Sequence, residues 1–401
     1  MKKRFIVPIF TAVIMLCLAF LIKYEKEGIP LDTDATIKIG FVYIGDESTP
    51  YTMNFVSSQE AIASEFGDRV EIVAKYNVSE DNCEPSIMDL VKEDCDLIFL
   101  TSYGCGVTAK QIAEKYPDIQ FCMATCEDAN QDPVLPNYHN FMGEIYQGRY
   151  ITGLVAGLKL KEMIESGQID VSHARIGCVA AFPYAEVISG YTAFLLGVRE
   201  IVPEATMEVR YVNTWGNYHV EKECAKKLIN EGCVIITQHS DTTGPAVACE
   251  EASTFSHRIY HVGYNRSMAD VAPTTSLISS RLNWTPYMMA AVEAVLAGEK
   301  IETHVDAEVN GNDAWAGFDK GWVEIVELNS AIAPKDAAET IQSAKNAFEK
   351  KSLIVFKGDY TGTDPFDPAD TIDLSGGYRE NAQASAPSFH YILDDVIEVR
   401  E

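Results

Sequence analysis

The sequence predicts an α/β fold with two lobes, each built on a doubly wound parallel sheet, followed by a C-terminal extension. Short apolar runs of strand length alternate with amphipathic helical stretches, and the loops between them are short. A second set of strand–helix units begins near His173, so the chain contains two similar halves. Two small sheets of this kind pack naturally as two lobes with a cleft between them.

The N-terminus reads as a signal or anchor segment followed by a polar linker, together residues 1–35. Three basic residues precede an apolar run over residues 5–22, which is the pattern of a secretory signal or a signal anchor. Cys17 stands where a lipidated cysteine could stand, although Leu16 before it is larger than such cleavage sites prefer. Lipidation and an uncleaved anchor both stay open. Either predicts that the rest of the chain works outside the cytoplasm, beside the membrane.

The first half is predicted to be a run of strands and helices that ends in a long helix. Predicted strands cover residues 37–45, 70–75, 95–102, 119–125 and 137–143, and predicted helices cover 56–66, 86–92, 107–115 and 145–165. The first strand is followed by a turn rich in Asp, Ser, Thr and Pro, and the third by a Gly-rich turn.

The second half repeats the pattern. Predicted strands cover residues 176–182, 207–215, 233–240, 258–265 and 276–284, and predicted helices cover 186–200, 220–231, 245–252 and 286–296. A β-hairpin is predicted at 310–328, turning on 319–321, and a polar helix at 336–350. Residues 351–401 are rich in Gly, Asp and Pro, and we predict an appended, partly ordered extension with a small β unit.

Composition excludes several classes of protein. A chain of 401 residues with 47% hydrophobic residues is not intrinsically disordered. Its net charge of −27 predicts no nucleic-acid partner, because phosphates would be repelled. Ten cysteines are scattered through the chain, several of them in strand-like runs. We expect mostly buried free thiols, with a Cys83–Cys95 bridge as the alternative.

The sequence contains no pattern that predicts catalysis, a metal or a cofactor. Walker, GxGxxG, GxSxG and HExxH motifs do not occur in it. His257 and His261 read as surface or core histidines, and Cys105 has no recognisable base beside it. We therefore predict a binding protein, not an enzyme.

Residues at the predicted strand ends are suited to holding a small molecule. In a parallel sheet these ends point into one crevice, and facing lobes bring two sets together. The strands at 176–182 and 207–215 end in aromatic rings rather than in the glycines of a phosphate site, which favours a flat or apolar-faced ligand. The predicted ligand-binding residues are Asp46, Tyr51, Ser102, Tyr103, Phe182, Trp215, Asp241, Tyr264, Asn265, Arg281 and Trp284.

Four segments carry a resemblance to a known family. VAAFPYAEVISGYTAFLLGVR, VNTWGNY, ITQHSDTTGPAV and HVGYNRSMADVAP resemble the basic membrane protein family, over about residues 38–350. The family comprises substrate-binding proteins of ABC transporters with a periplasmic binding protein type I fold. The resemblance implies two Rossmann-like lobes, a purine base or nucleoside as ligand, and an ABC permease as partner, with the protein a monomer.

The resemblance also implies roles for individual residues. Asp46 would contact ribose or base, and Phe182, with Trp215 beside it, would stack on the ligand. The acidic residue at the later crossover falls at Tyr264 and Asn265, and the basic residue after the next strand at Arg281. Asp241 resembles the subgroup that binds adenine or free bases. A carboxylate can accept a hydrogen bond from an exocyclic amine, which favours adenine over a keto purine.

Three crossovers between the lobes are implied near Gly143, Val262 and Glu302. They give an N-terminal lobe of residues 36–143 plus 263–302, a C-terminal lobe of 144–262 plus 303–350, and an extension of 351–401. Two further hypotheses stay open: a ligand-sensing receptor without a transport role, and a nucleoside-processing enzyme. Neighbouring genes for a permease and an ATPase would favour transport over sensing, and release of free base from nucleosides would reveal an enzyme.

Overall fold

Strands and helices alternate through the first part of the chain, as predicted. The computed structural model describes residues 35–400. The first elements are β1 (Ile37–Val42), α1 (Pro50–Phe66), β2 (Val70–Lys75), α2 (Glu84–Lys92), β3 (Leu97–Leu100), α3 (Gly106–Ala113), β4 (Gln120–Ala124) and β5 (Tyr138–Gly143). Helix α1 begins earlier than predicted, because Pro50 occupies the first turn, where its missing N–H costs nothing.

The second half continues the alternation from a long helix onward. Its elements are α4 (Ile145–Glu165), β6 (Arg175–Ala180), α5 (Ala185–Ile201), β7 (Thr206–Tyr211), α6 (Tyr218–Asn230), β8 (Ile235–His239), α7 (Gly244–Ala252), β9 (Tyr260–Tyr264) and β10 (Ser276–Leu282). The remaining elements are α8 (Thr285–Ala297), α9 (Ile301–His304), β11 (Glu308–Asn310), β12 (Asp313–Ala316), β13 (Val323–Leu328), α10 (Ala337–Glu349), β14 (Thr361–Thr363), β15 (Thr371–Asp373), β16 (Ile392–Leu393) and β17 (Ile397–Arg400).

Two seven-stranded sheets organise the fold, which confirms the predicted class. The first has the order β11-β12-β5-β4-β3-β1-β2, and the second β13-β10-β9-β8-β6-β7-β17. Strands are parallel except for β11 and β13, which pair antiparallel at the edges. Buried hydrophobic clusters cover both faces of each sheet. We call the elements around the first sheet the first lobe and those around the second the second lobe.

Strand pairing moves two of the three predicted crossovers. Strand β10 pairs with β9, so residues 263–282 belong to the second sheet rather than to the first. Strands β11 and β12 join the first sheet through β5, so residues 308–316 do not lie in the second lobe. The chain therefore crosses between the sheets after β5, after β10 and between β12 and β13. Only the first crossover lies where it was predicted, at Gly143.

The predicted hairpin at 310–328 is also corrected by this pairing. Strand β12 lies in the first sheet and β13 in the second, so the turn at 319–321 belongs to a crossover. The three crossovers pack against one another. A Cβ on Gly143 would lie 2.6 Å from Leu282 Cδ2 and 2.9 Å from the Trp322 carbonyl oxygen. We call this point of close approach, at Gly143, Leu282 and Trp322, the hinge.

The C-terminal extension is more integrated than predicted. Strand β17 adds a parallel edge to the second sheet beside β7, and β14, β15 and β16 form a small antiparallel sheet. The segment between β15 and β16 bonds to both lobes. Ser189 in the second lobe donates to Glu380 Oε2 at 2.6 Å, and the Ser385 N–H donates to Asp313 Oδ2 in the first lobe at 3.0 Å. The extension thus links the two lobes beside the hinge.

The predictions about cysteines and about membrane segments can be compared with the structure within the described residues. The nine cysteines between positions 83 and 249 are all buried and free, so the alternative Cys83–Cys95 bridge is not formed. Cys17 and the predicted signal or anchor segment lie outside the described residues. Among residues 35–400, no helix combines the length and the apolarity needed to cross a membrane.

Candidate ligand-binding site

A pocket lies between the lobes, where the carboxyl ends of strands from both sheets meet. The first lobe contributes Ile44, Tyr51, Ser102, Tyr103 and Thr125, and the second contributes Glu186, Trp215, His239, Asp241 and Tyr264. The cavity that they enclose measures about 20 Å³, far below the ~300–1,000 Å³ of small-molecule sites. The pocket is therefore narrow in this arrangement of the lobes.

Aromatic rings form one wall and part of the rim. Trp215 packs edge-on against Phe182 with ring centroids 5.3 Å apart, and Phe182 stacks on Tyr184 at 5.2 Å. Tyr103 from the first lobe approaches Tyr184 at 6.3 Å, and both rings are about half exposed. Rings from the two lobes therefore meet at the mouth of the pocket.

Tyr51 and Ser102 fix the first-lobe side. The Tyr51 hydroxyl, at the start of α1, donates to the Thr101 carbonyl at 2.5 Å. Its ring lies edge-on to the buried Trp284. The Ser102 hydroxyl donates to Glu80 Oε1, which also accepts the Gly104 N–H at 3.0 Å. These bonds hold the loop after β3 in place.

Asp241 is a buried carboxyl on the second-lobe side, and the loop that carries it is held by Glu221. Glu221 Oε2 accepts from the Ser240 hydroxyl at 2.8 Å and from the Thr242 N–H at 3.1 Å. The Asp241 N–H donates to the Trp215 carbonyl at 2.8 Å, which joins the loops after β7 and β8. Burial raises the pKa of Asp241 well above its ordinary value, and the negative charges of Glu221 and Glu186 raise it further.

A chain of hydrogen bonds between side-chain amides joins the first lobe to Asp241. Asn54 on α1 donates to Asn265 Oδ1 at 3.3 Å, and Asn265 Nδ2 lies 3.4 Å from Asp241 Oδ1. Asn265 has a left-handed backbone with φ 68°, which asparagine tolerates better than most residues. The contact between the lobes thus leads directly to the pocket carboxyl.

Glu186, His239 and Tyr264 complete the second-lobe wall. His239 Nε2 lies 3.4 Å from Glu186 Oε1, and burial lowers the pKa of His239 although Glu186 opposes that shift. The Tyr264 ring lies beside His239 and 5.4 Å from the buried guanidinium of Arg149. Within the described residues, the Tyr264 hydroxyl is buried and has no hydrogen-bond partner.

Six of the eleven residues predicted from sequence line this pocket. They are Tyr51, Ser102, Tyr103, Trp215, Asp241 and Tyr264. Phe182 packs behind Trp215, and Asn265 bonds to Asp241.

Three residues that were predicted to bind the ligand do not line the pocket, because their side chains contact other groups. Asp46 caps its own turn, accepting from the Ser48 N–H at 2.9 Å. Arg281 pairs with Glu324 at 2.8 Å across β10 and β13. Trp284 is buried in the first-lobe core, stacked on Phe55 at 4.4 Å. Asp46 and Arg281 therefore make their bonds away from the pocket, and the Trp284 ring packs inside the core.

Four pocket residues were not predicted from sequence. Thr125 directly follows β4 and Ile44 lies two residues after β1, so the strand-end rule could have found them. His239 precedes the predicted Asp241 within QHSD, but it looked like an ordinary strand residue. Glu186 lies in the first turn of α5, and only the packing of that helix brings its carboxyl to the pocket.

A hinged pair of α/β lobes with a small-molecule pocket between the strand ends defines the class of two-lobed solute-binding proteins. Residues 42–355 match the model of the PnrA-like ABC transporter substrate-binding proteins, the Bmp family. The chain belongs to this family, as the sequence resemblance predicted. The fold agrees with the solved structure of an ABC transporter solute-binding protein from Aeropyrum pernix K1, with TM-score 0.62, 14% identity, and coverage of 79% of this chain and 92% of that one.

Two relatives carry names with different ligands. The chain is 27% identical to the purine-binding protein of Brucella abortus (strain 2308) over 324 residues, which are 80% of this chain and 83% of that protein. It is 29% identical over 324 residues to a provisionally named ABC transporter glucose-binding protein of Haloferax volcanii, covering 80% and 75%. Family membership identifies the chain as an ABC transporter substrate-binding protein. The names of the two relatives differ in the ligand, so the ligand is inferred from the pocket.

Proposed function

We propose that this substrate-binding protein captures a purine base or nucleoside in the interlobe pocket and delivers it to the membrane permease of an ABC importer. The observation that carries the proposal is the hydrogen bond from the Asp241 N–H to the Trp215 carbonyl, which brings a buried carboxyl and an aromatic ring into the lining of one pocket. A purine presents both a flat face and an edge of hydrogen-bonding atoms, so it suits this pair.

The aromatic part of the pocket supports a flat ligand. Rings come from both lobes: Tyr51 and Tyr103 from the first, Trp215 and Tyr264 from the second. Stacking of a base on an aromatic side chain contributes about 1–3 kcal/mol per base.

The polar part supports a nitrogen heterocycle. Because burial raises the pKa of Asp241, this carboxyl can exist protonated and then offers one O–H donor beside an acceptor oxygen. That pair matches an adenine edge, with its ring nitrogen and exocyclic amine. A buried hydroxyl without a partner costs about 1–3 kcal/mol, so the unpaired Tyr264 hydroxyl is a further group that a ligand atom would satisfy.

The narrow pocket supports binding by hinge closure. A ring system enters if the lobes separate at the three crossovers, and closure then brings Asn54 against Asn265. We infer that the permease senses this closed form, that the protein acts as a monomer outside the cytoplasm, and that residues 1–34 tether it to the membrane. The first two inferences rest on the family, and the third on the apolar N-terminal run.

Native mass spectrometry of freshly purified protein tests the proposal. We expect a co-purified ligand with the mass of a purine base or nucleoside, released when the protein is denatured. A hexose mass in its place would contradict the proposal.

A further inference from the structure

Three metal-ligating side chains converge in the C-terminal extension, outside the interlobe pocket. Asp364 and Asp370 lie in the loop between β14 and β15, and His390 lies just before β16. One ligating atom from each lies within 4.8 Å of the other two. All three side chains are partly exposed, so solvent reaches the group they form.

Each carboxylate has one oxygen held by the protein and the other turned to the shared centre. Asp364 Oδ1 accepts the N–H groups of Phe366 at 2.6 Å and Asp367 at 3.2 Å. Asp370 Oδ1 accepts the Tyr391 hydroxyl at 3.1 Å. The Oδ2 atoms of both aspartates then face His390, at 3.4 Å each from its Nε2. Such outer bonds orient the ligands of protein metal sites.

The histidine is held in the same way. His390 Nδ1 lies 2.7 Å from the Ser388 carbonyl oxygen, which can only accept, so Nδ1 carries the hydrogen. Nε2 is then the ring nitrogen that faces the two aspartate oxygens, at 3.4 Å from each.

These distances match the edges of a metal tetrahedron. Zinc binds histidine nitrogen at about 2.0–2.1 Å and carboxylate oxygen at about 2.0–2.2 Å, so tetrahedral ligands lie about 3.3–3.5 Å apart. We propose that Asp364, Asp370 and His390 bind a divalent transition metal of the Zn²⁺ type, with solvent as the fourth ligand. A histidine ligand disfavours Ca²⁺ and Mg²⁺, which prefer oxygen ligands only.

The metal would clip the loop between β14 and β15 to the segment before β16. It would close a contact inside the small sheet of the extension, which also links the two lobes through Glu380 and Ser385. This site is independent of the purine proposal, since it shares no residue with the interlobe pocket.

Calorimetric titration of Zn²⁺ into chelator-treated protein tests the site. We expect one tight site per chain that is lost in Asp370→Asn, an isosteric change that keeps the Tyr391 bond, and in His390→Gln. Tyr391→Phe should weaken binding about 10-fold by freeing Asp370 Oδ1. His304→Gln is the matched control, because His304 is a partly exposed histidine paired with one carboxylate, Glu299.

In the titration, two outcomes would overturn the site: no stoichiometric Zn²⁺ binding by the wild-type protein, or equal binding in the wild type and Asp370→Asn. A rise in the unfolding temperature with Zn²⁺ provides a second measurement. We expect that rise in the wild type and in His304→Gln, and we expect it to vanish in Asp370→Asn. Comparing unfolding temperatures without metal separates loss of the site from misfolding, and a rise that persists in Asp370→Asn would also overturn the proposal.

Discussion

Asn54 of the first lobe donates a hydrogen bond to Asn265 of the second, with 3.3 Å between Nδ2 and Oδ1. Both side chains are buried, and Asn265 in turn lies 3.4 Å from the pocket carboxyl of Asp241. The approach of the lobes and the position of the carboxyl are therefore coupled through one side chain. If a ligand binds Asp241, it should favour the arrangement in which this bond forms.

Removing the interlobe bond should weaken ligand binding. In Asn54→Ala, we expect about 5-fold lower affinity for the bound purine, corresponding to about 1 kcal/mol for one hydrogen bond. Ser58→Ala is the control, because Ser58 lies on the same helix and bonds only within the first lobe. Calorimetry that finds equal affinity losses in both variants would mean that the interlobe bond has no special role.

Trp215 should contribute stacking energy. In Trp215→Ala, we expect purine affinity to fall about 5- to 150-fold, in line with about 1–3 kcal/mol for stacking on one ring. Phe366→Ala is the control, because Phe366 is a highly exposed ring of the extension. An unchanged dissociation constant in Trp215→Ala, in protein with wild-type circular dichroism, would remove Trp215 from the site.

The hinge carries a pH-sensitive carboxyl. Burial raises the pKa of Glu144 to about 7, and the charge of Asp319 adds to the rise. Because the folded state holds this proton more tightly than the unfolded state, Glu144 costs stability as the pH rises from about 4.5 through about 7. Glu144→Gln removes that cost.

Between pH 4.5 and pH 8, we expect the free energy of unfolding of Glu144→Gln to rise relative to that of the wild type by up to about 3 kcal/mol. Urea unfolding across this range measures the difference. Glu165→Gln, an exposed change at the end of α4, should show no such trend. A constant difference between wild type and Glu144→Gln at all pH values would contradict the assignment.

The packing of α4 on α5 should not tolerate added volume. A Cβ on Gly197 would lie 2.3 Å from the Tyr150 carbonyl oxygen, and one on Gly153 would lie 2.1 Å from the Phe194 carbonyl oxygen. We expect Gly197→Ala to lower the free energy of unfolding by about 1–3 kcal/mol. Gly376→Ala, where a Cβ meets no atom within 4 Å, is the control. Equal stabilities in urea would show that the helices can separate without cost.

The sequence predicted the parallel sheets but only the first of the three points where the chain changes lobe. Strand and helix periods are local, so β1 to β10 could be found from their apolar runs. The crossovers depend on which strands pair, and the pairing of β10 with β9 rather than with a first-lobe strand is not local. The extension was underestimated for the same reason, because β17 finds its partner β7 far back in the chain.

The candidate site was predicted in part, because strand ends can be located but side-chain directions cannot. Asp241 and Trp215 follow strands and do line the pocket. Arg281 lies within β10, where pairing with antiparallel β13 brings it to Glu324. Trp284 precedes α8, and the packing of that helix buries its ring in the first-lobe core. Strand order and helix packing therefore decide which of the predicted residues reach the pocket.

We propose that Asp241 and the neighbouring rings hold a purine in the interlobe pocket. Calorimetric titration of adenine, adenosine and glucose into the wild type and into Asp241→Ala tests it most directly. We predict that at least one purine ligand binds the wild type with a dissociation constant of about 1 μM or tighter, near −8 kcal/mol, and that Asp241→Ala loses most of this affinity. Binding of glucose without binding of either purine, or purine binding that is unchanged in Asp241→Ala, would contradict the account.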